Sequence, residues 1–284
     1  MQMPAYHAAS FRLPTMLHRP EFSLPSTFSE PMPASEGRTV ERVVGVPIDV
    51  LDWDDACRTI SRWAVLRESR YVCICNVHSV VTARNDPEFM KVIEDADMAT
   101  ADGAPVAWML RRLGHADQRR INGPDLMLRY FAQAEQRGEA VFLYGSTPAT
   151  LERLQQRLHE RFPALRIAGV CSPPFRPLTP EEDEQIIQRI NASGARTVWV
   201  SLGCPKQERW MAAHRHRIQA VTIGVGAAFD YHAGVIRRAP QWMQDIGLEW
   251  LHRLWSEPRR LGPRYLTTNT EFLYRAARQL LARR

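Results

Sequence analysis

The stretch Asp97-Met-Ala-Thr-Ala-Asp-Gly-Ala-Pro-Val106 decides how this chain of 284 residues is expected to fold. Its apolar run ends abruptly at Asp102-Gly103, and an apolar helical pattern continues to Leu113. That order predicts a buried strand, a tight turn that Gly103 permits, and a helix. Asp102 would then lie at the carboxyl end of the strand, which is the edge where open α/β sheets bind ligands.

A carboxylate at that edge has two interpretations. The nearest basic side chains in the sequence are Lys91 and Arg111, so Asp102 lacks an obvious local partner and is a candidate general base. Aspartate is also a favoured N-cap residue, and Asp102 could merely cap the helix that follows. The local sequence leaves both interpretations open.

The alternation of strand and helix extends along most of the chain. Helices of this length between strands imply right-handed crossovers, so we predict a Rossmann-like, doubly wound α/β domain with a mostly parallel sheet and helices on both faces. A pair of short strands is predicted within 42–50, and further strands at 71–75, 140–144, 165–170, 197–202 and 220–223. Helices are predicted at 53–66, 77–83, 87–93, 149–162, 180–192 and 205–218.

Composition divides the chain into three parts. Residues 1–37 contain six prolines and no apolar periodicity, which predicts a disordered leader. Residues 38–245 form the predicted α/β core, and residues 246–284 form a predicted basic helical appendage. From Leu251 onward, eight arginines and two glutamates give a net charge of +6, with aromatic residues between them. This mixture suits an anionic membrane surface or nucleic acid, although a solvated basic helix face has the same composition.

Several classes of protein are excluded. The five cysteines include no C-x-x-C pair, which argues against a disulfide framework or zinc site and favours a reducing, cytoplasmic setting. No apolar run approaches the ~18 residues that span a bilayer, and no signal peptide is evident. Gly224-x-Gly226 lacks the third glycine of a dinucleotide fingerprint, and no P-loop pattern is present.

Three predicted strands are followed by turns that suit a diphosphate. Glycine lets the backbone approach a ligand, and a helix N-terminus presents free N–H groups to an anion. Lys206 is one of only two lysines, whereas Gln207 and Glu208 could equally satisfy backbone groups of the first helical turn. The turns are Gly145-Ser-Thr-Pro148, Gly203-Cys-Pro-Lys-Gln-Glu208 and Gly224-Val-Gly-Ala-Ala-Phe-Asp230.

Six motifs occur in order between about Val43 and the end of the chain. They are Asn76-Val-His-Ser79, Ala101-Asp-Gly103, Arg120-Ile-Asn-Gly-Pro-Asp-Leu126, Gly203-Cys-Pro-Lys-Gln-Glu208, Gly224-Val-Gly-Ala-Ala-Phe-Asp230, and Arg238-Ala-Pro-x-Trp242 with Gly247-Leu-Glu-Trp250. In order and content these motifs resemble the WecG/TagA/CpsF glycosyltransferase family. The resemblance implies an inverting enzyme, with no metal or cofactor, that moves a hexose or N-acetylhexosamine from a UDP-sugar. The acceptor would be a polyprenyl-diphosphate-linked sugar for an exopolysaccharide, capsule or cell-wall polymer.

The resemblance also implies roles for individual residues. Asp102 would be the base, Asn76 and Arg120 would line its pocket, and an arginine-rich tail would close over it at the membrane. Because the resemblance implies no metal, arginines and helix N-termini must hold the diphosphate. The implied substrate-binding residues are His78, Gly103, Gly145, Lys206, Gln207, Glu208, Gly224, Gly226, Asp230, Arg253, Arg260 and Arg264.

His78 stands where many relatives carry an acidic or small residue, which implies a sugar other than the amino sugar of the wall-teichoic-acid members. The protein is expected to bind peripherally to anionic lipid on the inner face of the cell membrane. No nucleic-acid partner is expected, and the sequence is compatible with a homo-oligomer. The alternative, a nucleotide- or nucleic-acid-binding protein, rests on the pI of 9.3 and the basic tail. It leaves the six motifs unexplained.

Overall fold

The structure is a computed structural model that describes residues 37–283, apart from the side chain of Arg260. The predicted leader at residues 1–37 lies outside the described residues except for Gly37. The proposed role of Arg260 in substrate binding likewise concerns a side chain outside the description.

A six-stranded parallel sheet forms the centre of the fold and confirms the predicted α/β class. Its strands are β3 (Arg70–Cys75), β4 (Met98–Ala101), β5 (Ala140–Gly145), β6 (Arg166–Cys171), β7 (Thr197–Ser201) and β8 (Val221–Gly224), in the order β4-β3-β8-β7-β5-β6. An antiparallel hairpin precedes the sheet, as predicted, and consists of β1 (Val40–Val43) and β2 (Val46–Asp49).

Helices cover both faces of the sheet. Alternate residues of β3, β4, β5 and β7 belong to two separate buried clusters, so both faces of the sheet are apolar. The helices are α1 (Trp53–Val65), α2 (Val77–Asn85), α3 (Pro87–Glu94), α4 (Ala104–Arg112), α5 (Gly123–Arg137), α6 (Pro148–Arg161), α7 (Pro180–Ala192), α8 (Lys206–Ala213), α9 (Ala228–His232), α10 (Gln241–Asp245), α11 (Glu249–Ser256) and α12 (Pro258–Ala282).

Helix α5 is absent from the sequence-based prediction, although its sequence carries the usual signals. The Asn122 side chain accepts the backbone N–H of Asp125, and Pro124 occupies the first turn. Gly138 ends the helix with a φ of +64°, the left-handed conformation that glycine adopts at helix C-termini. Helix α8 ends at Ala213 rather than at 218, because residues 214–219 turn toward β8.

Helix α12 packs against the same face of the sheet as α2 and α3. Phe272 and Ala276 are buried members of the core cluster on that face. Near the C-terminus, Gln279 Oε1 accepts the backbone N–H of Val44 at 2.7 Å, and Arg283 forms an ion pair with Glu41. Within residues 37–283, no helix combines the length and apolar character that crossing a bilayer requires.

Candidate active site

Asp102 and Asn76 emerge side by side from two neighbouring strands. Cys75 at the end of β3 is in register with Ala101 at the end of β4, and the Asp102 N–H donates to the Cys75 carbonyl at 2.9 Å. Gly103 then turns the chain with a φ of +88°, a left-handed conformation that favours glycine. Gly103 itself occupies the N-cap position of α4, with no side-chain cap. Asp102 therefore does not cap α4, and the capping interpretation is wrong.

The surroundings of Asp102 raise the pKa of its carboxyl group. Burial, together with the negative charge of Glu249, raises the pKa of Asp102 to about 6. The positive charges of Arg120 and Arg253 and the backbone N–H of Gly103 act in the opposite direction. A carboxylate with this pKa is ionised at neutral pH and accepts a proton more readily than an exposed aspartate.

An ion-pair network connects the Asp102 region to the C-terminal helices. Arg120 Nη2 donates to Glu249 Oε2 at 2.7 Å, and Arg238 Nε donates to Glu249 Oε1 at 3.0 Å. Arg238 also binds Asp125 through Nη2 at 2.9 Å. Because Glu249 begins α11, this network places the first turn of α11 near Asp102. Sequence reasoning did not assign Glu249 or Arg238, although both lie within motifs that it quoted.

Asn76 and His78 belong to the start of α2. Asn76 is the N-cap residue, and its Oδ1 accepts the Ser79 N–H at 3.1 Å. His78 is partly buried and hydrogen-bonds to the Cys204 backbone. Burial, helped by the positive charge of Arg264, lowers the pKa of His78. The effect of Arg264 on this pKa places Arg264 of α12 in the same neighbourhood as His78.

The buried side chains of Gln207 and Glu208 hold the turn after β8 through hydrogen bonds. Gln207 Oε1 accepts the Gly226 N–H at 3.1 Å, and its Nε2 donates to Glu208 Oε1 at 2.9 Å. The two side chains are 3% and 1% exposed, and burial raises the pKa of Glu208. A Cβ at Gly224 would lie 2.8 Å from Met211 Cε and 3.0 Å from Gln207 Nε2, so glycine lets these two side chains pack closely against the strand end. In this conformation Gln207 and Glu208 shape the turn that would receive a ligand.

The remaining predicted residues lie along the same edge of the sheet. A Cβ at Gly145 would lie 2.3 Å from the Ser201 carbonyl oxygen, so Gly145 is required for the close approach of two turns. Asp230 accepts a hydrogen bond from Ser146 Oγ at 3.5 Å. Lys206 is exposed at the start of α8.

Tyr231 and Tyr265 lie near Arg253 and Arg264, and sequence reasoning gave neither tyrosine a role in the site. The Arg253 guanidinium stands over the Tyr231 ring, 5.7 Å from its centroid, and Arg264 stands 5.6 Å from the Tyr265 ring centroid. Trp250 meets Tyr265 edge to face at 6.2 Å. Helices α9, α11 and α12 thus build one wall of the candidate site from aromatic and guanidinium groups.

Over residues 41–284 the chain matches the family model described as the glycosyl transferase WecG/TagA/CpsF family. The chain belongs to the WecG/TagA/CpsF family of glycosyltransferases. Membership implies a glycosyltransferase of cell-wall or polysaccharide biosynthesis, and in general a nucleotide-sugar donor and a lipid-linked acceptor.

A WecG/TagA/CpsF glycosyltransferase has two chemical tasks, and the site contains groups for both. A hydroxyl nucleophile must lose a proton, and Asp102 is a partly buried carboxylate with a raised pKa. A departing nucleotide must have its negative charge stabilised, and Arg120 and Arg253 place positive charge beside Asp102. Among residues 37–283, no group of three or more His, Cys, Asp or Glu side chains is arranged to hold a metal ion.

Proposed function

We propose that this protein is an inverting transferase that moves a hexose or N-acetylhexosamine from a UDP-sugar onto a polyprenyl-diphosphate-linked sugar. The observation that carries the proposal is the Asp102 carboxylate, whose pKa is raised to about 6 and whose neighbours Arg120 and Arg253 supply positive charge. The pathway class follows from the family, and the proposed donor and acceptor are those that the resemblance of the six motifs implies.

In the proposed reaction, the acceptor hydroxyl attacks the anomeric carbon from the face opposite the diphosphate. A new carbon–oxygen bond forms there, the bond to UDP breaks, and UDP leaves with the bonding electrons. Asp102 takes the hydroxyl proton as the bond forms. Arg120 and Arg253 stabilise the charge that develops on the diphosphate, and the turn containing Gly226 offers backbone N–H groups at the same edge.

A lipid-linked acceptor requires the site to lie close to a membrane, and the helices beside Asp102 carry exposed apolar side chains. The exposed residues on α10, α11 and the connection between them are Trp242, Ile246, Trp250, Leu251 and Trp255. Apolar side chains grouped beside arginines favour docking into the headgroup region of an anionic bilayer. We infer a peripheral position on the inner face of the cell membrane, with residues 246–284 as the docking segment.

The proposal is tested by product analysis with the full-length protein. The purified chain is incubated with a polyprenyl-diphosphate-linked sugar and a panel of UDP-hexoses and UDP-N-acetylhexosamines, and the lipid products are identified by mass spectrometry. We expect one lipid-linked disaccharide, with the new linkage inverted at the anomeric carbon. Transfer from a different nucleotide, or retention of anomeric configuration, would contradict the proposal.

A further inference from the structure

Tyr231 carries a buried hydroxyl group that the proposed mechanism does not yet use. Its oxygen has no hydrogen-bond partner among the side chains and backbone of residues 37–283. Burial raises the pKa of Tyr231 to about 12, so the hydroxyl stays neutral at physiological pH and keeps its proton for donation. A buried hydroxyl without a partner destabilises a fold, which makes its presence beside the candidate site informative.

Two arginines of the same wall also have a buried polar atom without a hydrogen-bond partner. Arg253 Nε and Arg264 Nε are also buried without a hydrogen-bond partner in the described part of the chain. Neither guanidinium forms an ion pair with a described side chain, although Arg120 and Arg238 both do. The negative charges of Glu257 and Asp102 raise the pKa of Arg253 without forming a direct ion pair with it.

Tyr231 and Arg253 lie against one another near Asp102, and Arg264 lies beside Tyr265 on α12. Arg253 stands 5.7 Å from the centroid of the Tyr231 ring, and Arg264 stands 5.6 Å from that of Tyr265. Arg253 is also close enough to Asp102 for each to affect the other's pKa. One hydroxyl donor and two guanidinium groups without carboxylate partners match an anion rich in oxygen acceptors.

We propose that Tyr231 is a diphosphate-binding residue, whose hydroxyl donates a hydrogen bond to a non-bridging oxygen of a diphosphate held by Arg253 and Arg264. This inference rests on the proposed function and adds a residue to its binding site. Both proposed substrates carry a diphosphate, so the shared chemistry fits the UDP-sugar and the polyprenyl-linked acceptor. The phenol adds an uncharged hydrogen-bond donor to the charged donors of the two guanidinium groups.

The test compares full-length wild-type protein with Tyr231→Phe and with Tyr274→Phe. The first substitution removes one oxygen atom and keeps the ring beneath Arg253. The second is a matched control, because Tyr274 is 63% exposed on α12. Binding of UDP, uridine and farnesyl diphosphate is measured by calorimetry, and thermal melting is measured without ligand.

We expect Tyr231→Phe to weaken binding of one diphosphate by about 10-fold or more, as for a hydrogen bond to a charged group. A loss with UDP assigns Tyr231 to the donor, and a loss with farnesyl diphosphate assigns it to the acceptor. Uridine binding should not change, and the unliganded variant should melt no lower than wild type, since its missing oxygen had no partner in the described residues.

Two results would overturn the inference while leaving the proposed function intact. In one, wild type binds UDP, and Tyr231→Phe binds UDP and farnesyl diphosphate as tightly as wild type does. In the other, Tyr231→Phe loses uridine and diphosphates to the same extent, which indicates general distortion. If wild-type protein binds neither diphosphate, the proposed function fails and the inference fails with it.

Discussion

The replacement of Phe272 by alanine tests whether α12 is an integral part of the fold. Phe272 is 2% exposed and packs into the core cluster on one face of the sheet. Truncation of a buried phenylalanine to alanine costs about 3–5 kcal/mol, because it removes apolar contact and leaves a cavity. At roughly 2–4 °C per kcal/mol for a domain of this size, Tm should fall by at least about 6 °C.

The neighbouring residue supplies the control. Leu273 is 66% exposed, so Leu273→Ala should change the free energy of unfolding by no more than about 0.5 kcal/mol. Thermal melts followed by circular dichroism measure both variants. If Phe272→Ala melts within about 2 °C of Leu273→Ala, α12 is not held against the sheet as described. The placement of Arg264 beside His78 would then be wrong as well.

Two further predictions concern the reaction itself. Because the pKa of Asp102 is about 6, kcat/KM should fall about tenfold per pH unit below pH 6. Glu249→Gln removes a negative charge that raises this pKa, so the acidic limb of the pH profile should move to lower pH. If the limb does not move, a group other than Asp102 is responsible for it. Arginines take the place of a metal clamp in the proposed mechanism, so turnover should persist in EDTA. Loss of activity that magnesium or manganese restores would contradict that mechanism.

The fold class was predictable because the strands have an unambiguous pattern. Residues 71–75, 140–144 and 197–202 are continuous apolar runs between helical patterns, which is typical of strands buried on both faces of a parallel sheet. The order β4-β3-β8-β7-β5-β6 was not predictable, because hydrophobic periodicity does not specify which strands become neighbours. Helix α5 was missed although Asn122 and Gly138 mark its ends.

The candidate site was predictable only where its residues follow strands. Asp102 and Asn76 directly follow β4 and β3, so the carboxyl edge of the sheet brings them together. Glu249 meets Arg120 across 129 positions of sequence, a contact that depends on how α11 packs. Tyr231 directly follows the turn Gly224–Asp230, but the sequence does not show that Arg253 packs over its ring. That contact is what assigns Tyr231 to the candidate site.

The identity of the base is the central claim, and the turnover of Asp102→Asn tests it most directly. The substitution preserves the shape of the side chain and removes its ability to accept a proton. We predict a fall in kcat of about 10²–10⁴-fold, with UDP affinity and melting temperature close to those of wild type. A folded Asp102→Asn protein that keeps more than about half of the wild-type turnover would contradict the account, since general-base loss should cost far more.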